Sequence, residues 1–226
     1  MKLFIAGTAS FPFIATKHPP KYVLESFYYI KEWQLEYIHK WDMFLLDSGA
    51  FTFMNSCKGK VDFNKYLERY IDFINKHDIK YFFELDIDSV VGYEEVLRLR
   101  KRLEEGTHKK CIPVWHFSRG KEEFIKMCKE YDYVAFGGIL TDGVSTKEIV
   151  KYLPWFVHTA HKHGAKIHGL GLTVKGVEKL GLDSADSTSW TAASKFGSIS
   201  YFDGTKMAKL PSPEGKRTIW RTAMEY

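Results

Sequence analysis

Aspartates stand at three places where an apolar run gives way to small residues: Leu45-Leu46-Asp47-Ser48-Gly49-Ala50-Phe51, Leu85-Asp86-Ile87-Asp88 and Ala185-Asp186-Ser187-Thr188-Ser189-Trp190. A short buried strand of a parallel sheet reads as a continuous apolar stretch, and the residues leaving its C-terminal end line the reaction crevice of α/β folds. Carboxylates placed there serve as general acids and bases, as nucleophiles or as metal ligands. His116, after Ile112-Pro113-Val114-Trp115, and His168, in Ile167-His168-Gly169-Leu170-Gly171, hold comparable positions.

Each feature also has an ordinary reading. Asp-Ser-Gly is a common turn, Asp88 suits the N-cap of a helix starting near Tyr93, and an isolated histidine is most often hydrogen-bonded in the core. Gly49 lets the backbone come close to a ligand, and Gly137-Gly138, after Tyr133-Val134-Ala135-Phe136, is either a tight turn or a pair of amides facing one. Asp86 sits deeper in its apolar run than Asp88, and alternation sets both beside Glu84. His116, His168, Asp86 and Asp186 together form an alternative, metal-binding set for a barrel hydrolase. Against it, the first strand ends Ala6-Gly7-Thr8 with no His-x-His pair, and Trp115 beside His116 fits a wall for base stacking.

The elements that must position these residues recur along the chain. Strand-like segments run from Lys2 to Ala6, Met43 to Asp47, Lys80 to Asp86, Cys111 to Trp115, Tyr133 to Phe136, Lys166 to Leu170, Leu182 to Asp186 and Ser198 to Phe202. That is about eight, the number a closed α/β barrel needs. Helical patterns fill most gaps: Tyr22 to His39, Asp62 to Lys76, Tyr93 to Leu103, Lys121 to Tyr131 and Lys147 to His163. Such alternation predicts a parallel sheet, and the fold class is a single-domain (β/α)8 TIM-type barrel over residues 1–226, with a doubly wound open sheet as competitor.

Composition narrows the classes. The chain of 226 residues is 45% hydrophobic and 16% aromatic, enough for a sizeable core. Its apolar start is too short for a signal peptide and no segment approaches a membrane span, so a soluble, cytoplasmic protein is expected. Cys57, Cys111 and Cys128 are too widely spaced for a local zinc site or a disulfide framework. The formal charge is +5, with Lys206, Lys209, Lys216, Arg217 and Arg221 near the C-terminus, which permits nucleic-acid contact without requiring it.

Read in order, these motifs resemble the tRNA-guanine transglycosylase superfamily, (β/α)8 enzymes that exchange guanine in a nucleic acid for a 7-deazaguanine. Asp47-Ser48-Gly49-Ala50-Phe51 is similar to the family's Asp-Ser-Gly-Gly-Phe motif, and Asp86 stands where the family places a base-recognising aspartate. Val134 to Ile139 is similar to its apolar-Gly-Gly-Leu segment, His168-Gly169-Leu170-Gly171 to its Met-Gly-Val-Gly, and Asp186 to the aspartate opening Asp-Cys-Val. Members acting on tRNA carry a cysteine-rich zinc subdomain, and no cysteine here follows Cys128. The variant motifs resemble the DpdA-like branch of phages and genomic islands, whose substrate is DNA.

The resemblance implies that Asp186 attacks the anomeric carbon and that Asp47 shuttles protons between the departing and arriving bases. Asp86 would take the guanine N1 and amino hydrogens, Gly137 and Gly138 with Trp115 or His116 would address the carbonyl edge, and Phe51 and His168 would sandwich the base. Ser48 and Gly49 belong to the first motif and Gly169 to the fourth. The partners implied are DNA, with tRNA as alternative, and a 7-deazaguanine such as 7-cyano-7-deazaguanine. No cofactor, metal or membrane is implied, a homodimer or auxiliary protein is, and a phage-encoded chain would work in the host cytoplasm. A non-catalytic nucleic-acid-binding subunit is the third reading, opposed by the presence of both Asp47 and Asp186.

Overall fold

The structure is a computed structural model that describes residues 1–12, 17–56, 62–137, 146–174, 176–191 and 199–210. The chain divides into two compact units, Met1–Asp186 and Ser187–Tyr226. Seven strands build the first: β1 Lys2–Ala6, β2 Tyr22–Ser26, β3 Met43–Asp47, β4 Val114–Trp115, β5 Tyr133–Phe136, β6 Lys166–Gly169 and β7 Ser184–Ser187. They form a parallel half-barrel in the order β3-β2-β1-β7-β6-β5-β4. Single parallel bridges join Leu46 to Phe82 and Phe83 to Ile112. Phe83 N donates to Leu46 O at 2.9 Å and Ile112 N to Phe82 O at 2.8 Å, so this segment lies beside β3 and beside the residues entering β4.

Strand alternation sorts the side chains into two layers. Phe4, Ala6, Leu24, Leu45, Phe83, Ile112, Val114 and Ala135 form an inner cluster. Their neighbours Val23, Phe44, Leu46 and Phe82, or Trp115, Val134, Phe136 and Ile167, turn outward under the helices. The same parity carries Asp47 to the side of Leu45, His116 to the side of Val114, and Asp186 to the side of Ser184. Helix Phe63–Lys76 buries Phe63, Tyr66, Leu67, Tyr70 and Ile74, and Asp62 caps it by accepting from Lys65 N at 3.0 Å. Helices Tyr93–Thr107, Gly120–Glu130 and Thr146–Lys162 follow the remaining periodicities.

Two elements differ from the sequence reading. The stretch from Tyr22 to His39 is not one helix: Tyr22–Ser26 is strand β2, followed by a short helix at Glu32–Leu35. Pairing on both sides, with β1 and β3, overrides the weak helical period, because Val23 and Leu24 each gain a buried layer there. Ser198–Phe202 is also not part of the parallel sheet. In the second unit, Ile199–Phe202 and Met207–Leu210 form an antiparallel hairpin whose turn is tied by Asp203 Oδ1, which accepts from Thr205 N and Lys206 N at 2.9 Å each. Among the described residues no helix is long and apolar enough to cross a membrane.

Candidate active site

Strand ends and, for Asp88, the start of helix Asp88–Val91 bring Asp47, Asp86, Asp88, His116 and Asp186 to one cavity of about 830 Å³, walled also by Leu24, Tyr93, Arg119 and Gly171. The chain reaches this point through tightly held strand ends. Tyr66 Oη donates to Ser48 O at 2.6 Å and Tyr70 Oη lies 3.1 Å from both Leu46 O and Phe83 O, so the helix after the first motif clamps the backbone on either side of Asp47. Gly49, at φ +64°, donates its amide to Asp47 Oδ2 at 3.1 Å. A β-carbon there would come within 2.4 Å of Ser26 Oγ, so only glycine fits this turn.

The carboxylates sit in different environments. Burial, then the charge of Asp86, pushes Asp47 from 3.8 up to about 6; Asp186 adds to the rise and the Gly49 amide opposes it. Burial likewise raises Asp86 against the hydrogen bond and charge of His116. Asp88 is lowered, because the hydrogen bond and charge of Arg119 outweigh its burial. His116 Nε2 is hydrogen-bonded to Asp86 Oδ1, and Asp86 with Asp88 raises the imidazole despite its own desolvation.

Asp186 is braced from below. Its Oδ1 accepts from Gly171 N at 2.7 Å and lies 3.3 Å from His168 Nε2, while His168 Nδ1 lies 2.7 Å from Ser184 Oγ, which meets Tyr133 Oη. His168 is fully buried among Phe4, Phe83 and Tyr133. It therefore orients Asp186 and does not sandwich a base, a correction that follows from its position one layer below the cavity.

Other expected contacts are also relocated. Trp115 turns outward, 1% exposed against Phe124, Phe136 and Phe156, because it alternates with Val114 and His116 along β4. The Gly137 amide donates to Trp115 O at 2.9 Å and is spent in strand pairing; a β-carbon there would meet Val114 Cγ1 at 2.5 Å, so this glycine serves packing. Gly169 does the same against Leu172 and Leu182. Ser48 is buried and its Oγ accepts from Ala50 N at 3.4 Å at the start of the next helix. Phe51 lies in helix Ala50–Ser56 with its side chain outside the described residues, as are Gly138, Lys216 and Arg217 with Arg221. Lys206 is exposed in the hairpin turn, and the Lys209 side chain is not among those described.

Sequence reasoning missed the basic half of the site. Arg119 Nε donates to Asp88 Oδ2 at 2.8 Å and Nη1 to Glu84 Oε1 at 2.9 Å. Glu84, fully buried, also accepts from Val114 N at 2.8 Å and from Arg100 Nε. The available signal was an arginine three residues past His116 in a strand-end loop. Asp86, Asp88 and His116 bring ligand atoms within 4.8 Å of one another, the one such group among the described residues. A cation there would compete with Arg119 for Asp88 and with the His116 hydrogen bond for Asp86. The four-residue metal set weighed as an alternative from sequence is divided, with His168 committed beneath Asp186.

The fold is TIM-barrel-like: the chain is similar to the solved structure of QR15, an Aldolase, with a TM-score of 0.51 over 83% of this chain and 89% of that one, at 12% identity. No family model matches the sequence. A curated relative is Uncharacterized protein 306 of Sulfolobus islandicus rod-shaped virus 1, 28% identical over 160 residues, covering 65% of this chain and 49% of the relative. The chain thus spans about half the length of the curated relative it matches.

Proposed function

We propose that the chain is a base-exchange transglycosylase that replaces guanine in DNA with a 7-deazaguanine through a covalent aspartyl-glycosyl intermediate. The observation that carries this reading is a pair of carboxylates, Asp47 and Asp186, brought to one cavity. Asp47 is raised to about 6, suiting a group that gives and takes protons near neutrality, while Asp186 is fixed by the Gly171 amide and His168. Such a division of roles serves displacement at an anomeric carbon.

In the first step Asp186 Oδ2 bonds to C1′ as the C1′–N9 bond breaks, and the guanine leaves with a proton from Asp47. In the second, the incoming base gives its N9 proton to Asp47 and attacks C1′, releasing Asp186. Two displacements retain the configuration. Asp86 accepts from the N1 and amino hydrogens of the base, and His116, hydrogen-bonded to Asp86, addresses the carbonyl edge. The bridges through Phe82, Phe83 and Ile112 support a sheet closed into a complete (β/α)8 barrel. Lys206, Lys209, Lys216, Arg217 and Arg221 are assigned to phosphate contact on charge alone.

Incubation of the protein with guanine-containing DNA or tRNA and radiolabelled guanine or 7-cyano-7-deazaguanine tests the reading. Label entering DNA, and lost with Asp186→Asn, supports it; label in tRNA alone moves the substrate to tRNA, and label in neither overturns the exchange.

A further inference from the structure

A second cavity, of about 500 Å³, opens beside the first and plays no part in the mechanism above. Phe117, Lys121, Tyr152, Trp155 and Phe156 are among its walls. Tyr152 and Trp155, one turn apart on helix Thr146–Lys162, are 52% and 36% exposed, although aromatic rings of this size are normally covered. Lys121 Nζ stands over the face of the Trp155 ring, 5.1 Å from its centre, and Glu148 also lines the cavity. The rear of the cavity is rigid: Phe156 packs on Trp115 at 4.5 Å and on Phe124 at 4.8 Å between ring centres.

Neighbouring residues of one turn line the two cavities. Ser118 and Arg119 of the short turn Phe117–Arg119 face the acidic cavity, whereas Phe117 and the following Gly120 face the aromatic one.

We infer that the aromatic cavity is a subsite for the base adjoining the exchanged guanine, which takes the place of the Lys121 ammonium over Trp155, with Tyr152 beside it and Lys121 turned to its phosphate. The inference rests on the base-exchange reading for its choice of a nucleic-acid strand. Stacking platforms of exposed aromatics next to a cation accept any base, because every base has a π-face. The subsite also explains how a target base is held out of its stack: the neighbour exchanges base stacking for ring stacking.

The test is binding of the full-length protein to a short single-stranded oligodeoxynucleotide with one guanine, followed by fluorescence anisotropy. The same strand with an abasic site on either side of the guanine serves as comparison. Loss of the neighbouring base on one side should weaken binding about 5- to 100-fold. Trp155→Ala should weaken the intact strand similarly and leave the matching abasic strand unchanged. Tyr152→Ala, at a more exposed position, provides a second variant. Equal binding of all strands by wild type and both variants overturns the subsite, as does failure of wild type to bind the strand at low salt. Trp155-dependent binding without label exchange removes the base-exchange reading and keeps the subsite. Exchange indifferent to Trp155 and Tyr152 does the reverse.

Discussion

Replacing Asp47 with asparagine should stabilise the protein at neutral pH while abolishing the proposed base exchange. Burial and the charges of Asp86 and Asp186 carry this carboxyl from 3.8 to about 6 on folding. At about 1.4 kcal/mol for each pKa unit, ionised Asp47 costs the folded state about 3 kcal/mol. The sign follows from the direction of the shift. A carboxyl raised on folding binds its proton more tightly in the native state, so stability is lost as pH rises above 3.8, and the loss is complete above about pH 7. The asparagine side chain cannot ionise, and its carbonyl still accepts from the Gly49 amide. Urea unfolding of wild type and Asp47→Asn from pH 3.5 to 8 should show a difference near zero at the acid end, growing to about 3 kcal/mol in favour of the variant. Titrations of groups that do not interact with Asp47 cancel in the comparison. A difference independent of pH, or a variant less stable at pH 8 than at pH 4 relative to wild type, refutes the environment assigned to Asp47.

Three further outcomes follow from other parts of the site. Asp186→Asn should remove any covalent adduct with a guanine-containing strand on denaturing gels while leaving the urea midpoint within about 1 kcal/mol of wild type in stability terms. Glu84→Gln leaves Arg100 and Arg119 without their shared buried counter-charge, and a loss of about 3 to 5 kcal/mol by denaturant unfolding is expected; a neutral result would show that the network is not dry. Gly49→Ala places a β-carbon 2.4 Å from Ser26 Oγ at φ +64°, so more than about 1 kcal/mol should be lost and exchange should fall with it, measured side by side.

The chain itself determined most of the scaffold. Apolar runs of four or five residues ending in Asp47 and near His116, His168 and Asp186 are strands because nothing else lets so short a segment bury both faces, and period 2 then fixes which side chains point inward. The helices from Phe63, Tyr93 and Gly120 are equally local, each set by a 3.6-residue apolar stripe. What could not be read locally is what depends on partners distant in sequence. Tyr22–Ser26 is a strand because β1 and β3 flank it, and Ile199–Phe202 pairs within its own hairpin instead of the sheet. Candidate aspartates were visible as residue types following apolar runs, but their unequal acidities arise from burial, from one another and from His116 and Arg119. Arg119, lying between Glu84, Asp86 and Asp88, and His168, sealed beneath Asp186, acquire their roles only when the turn after β4 and the floor of the half-barrel are folded into place. Sequence fixes chemistry by type and period; distance, desolvation and the sharing of a charge belong to the tertiary structure.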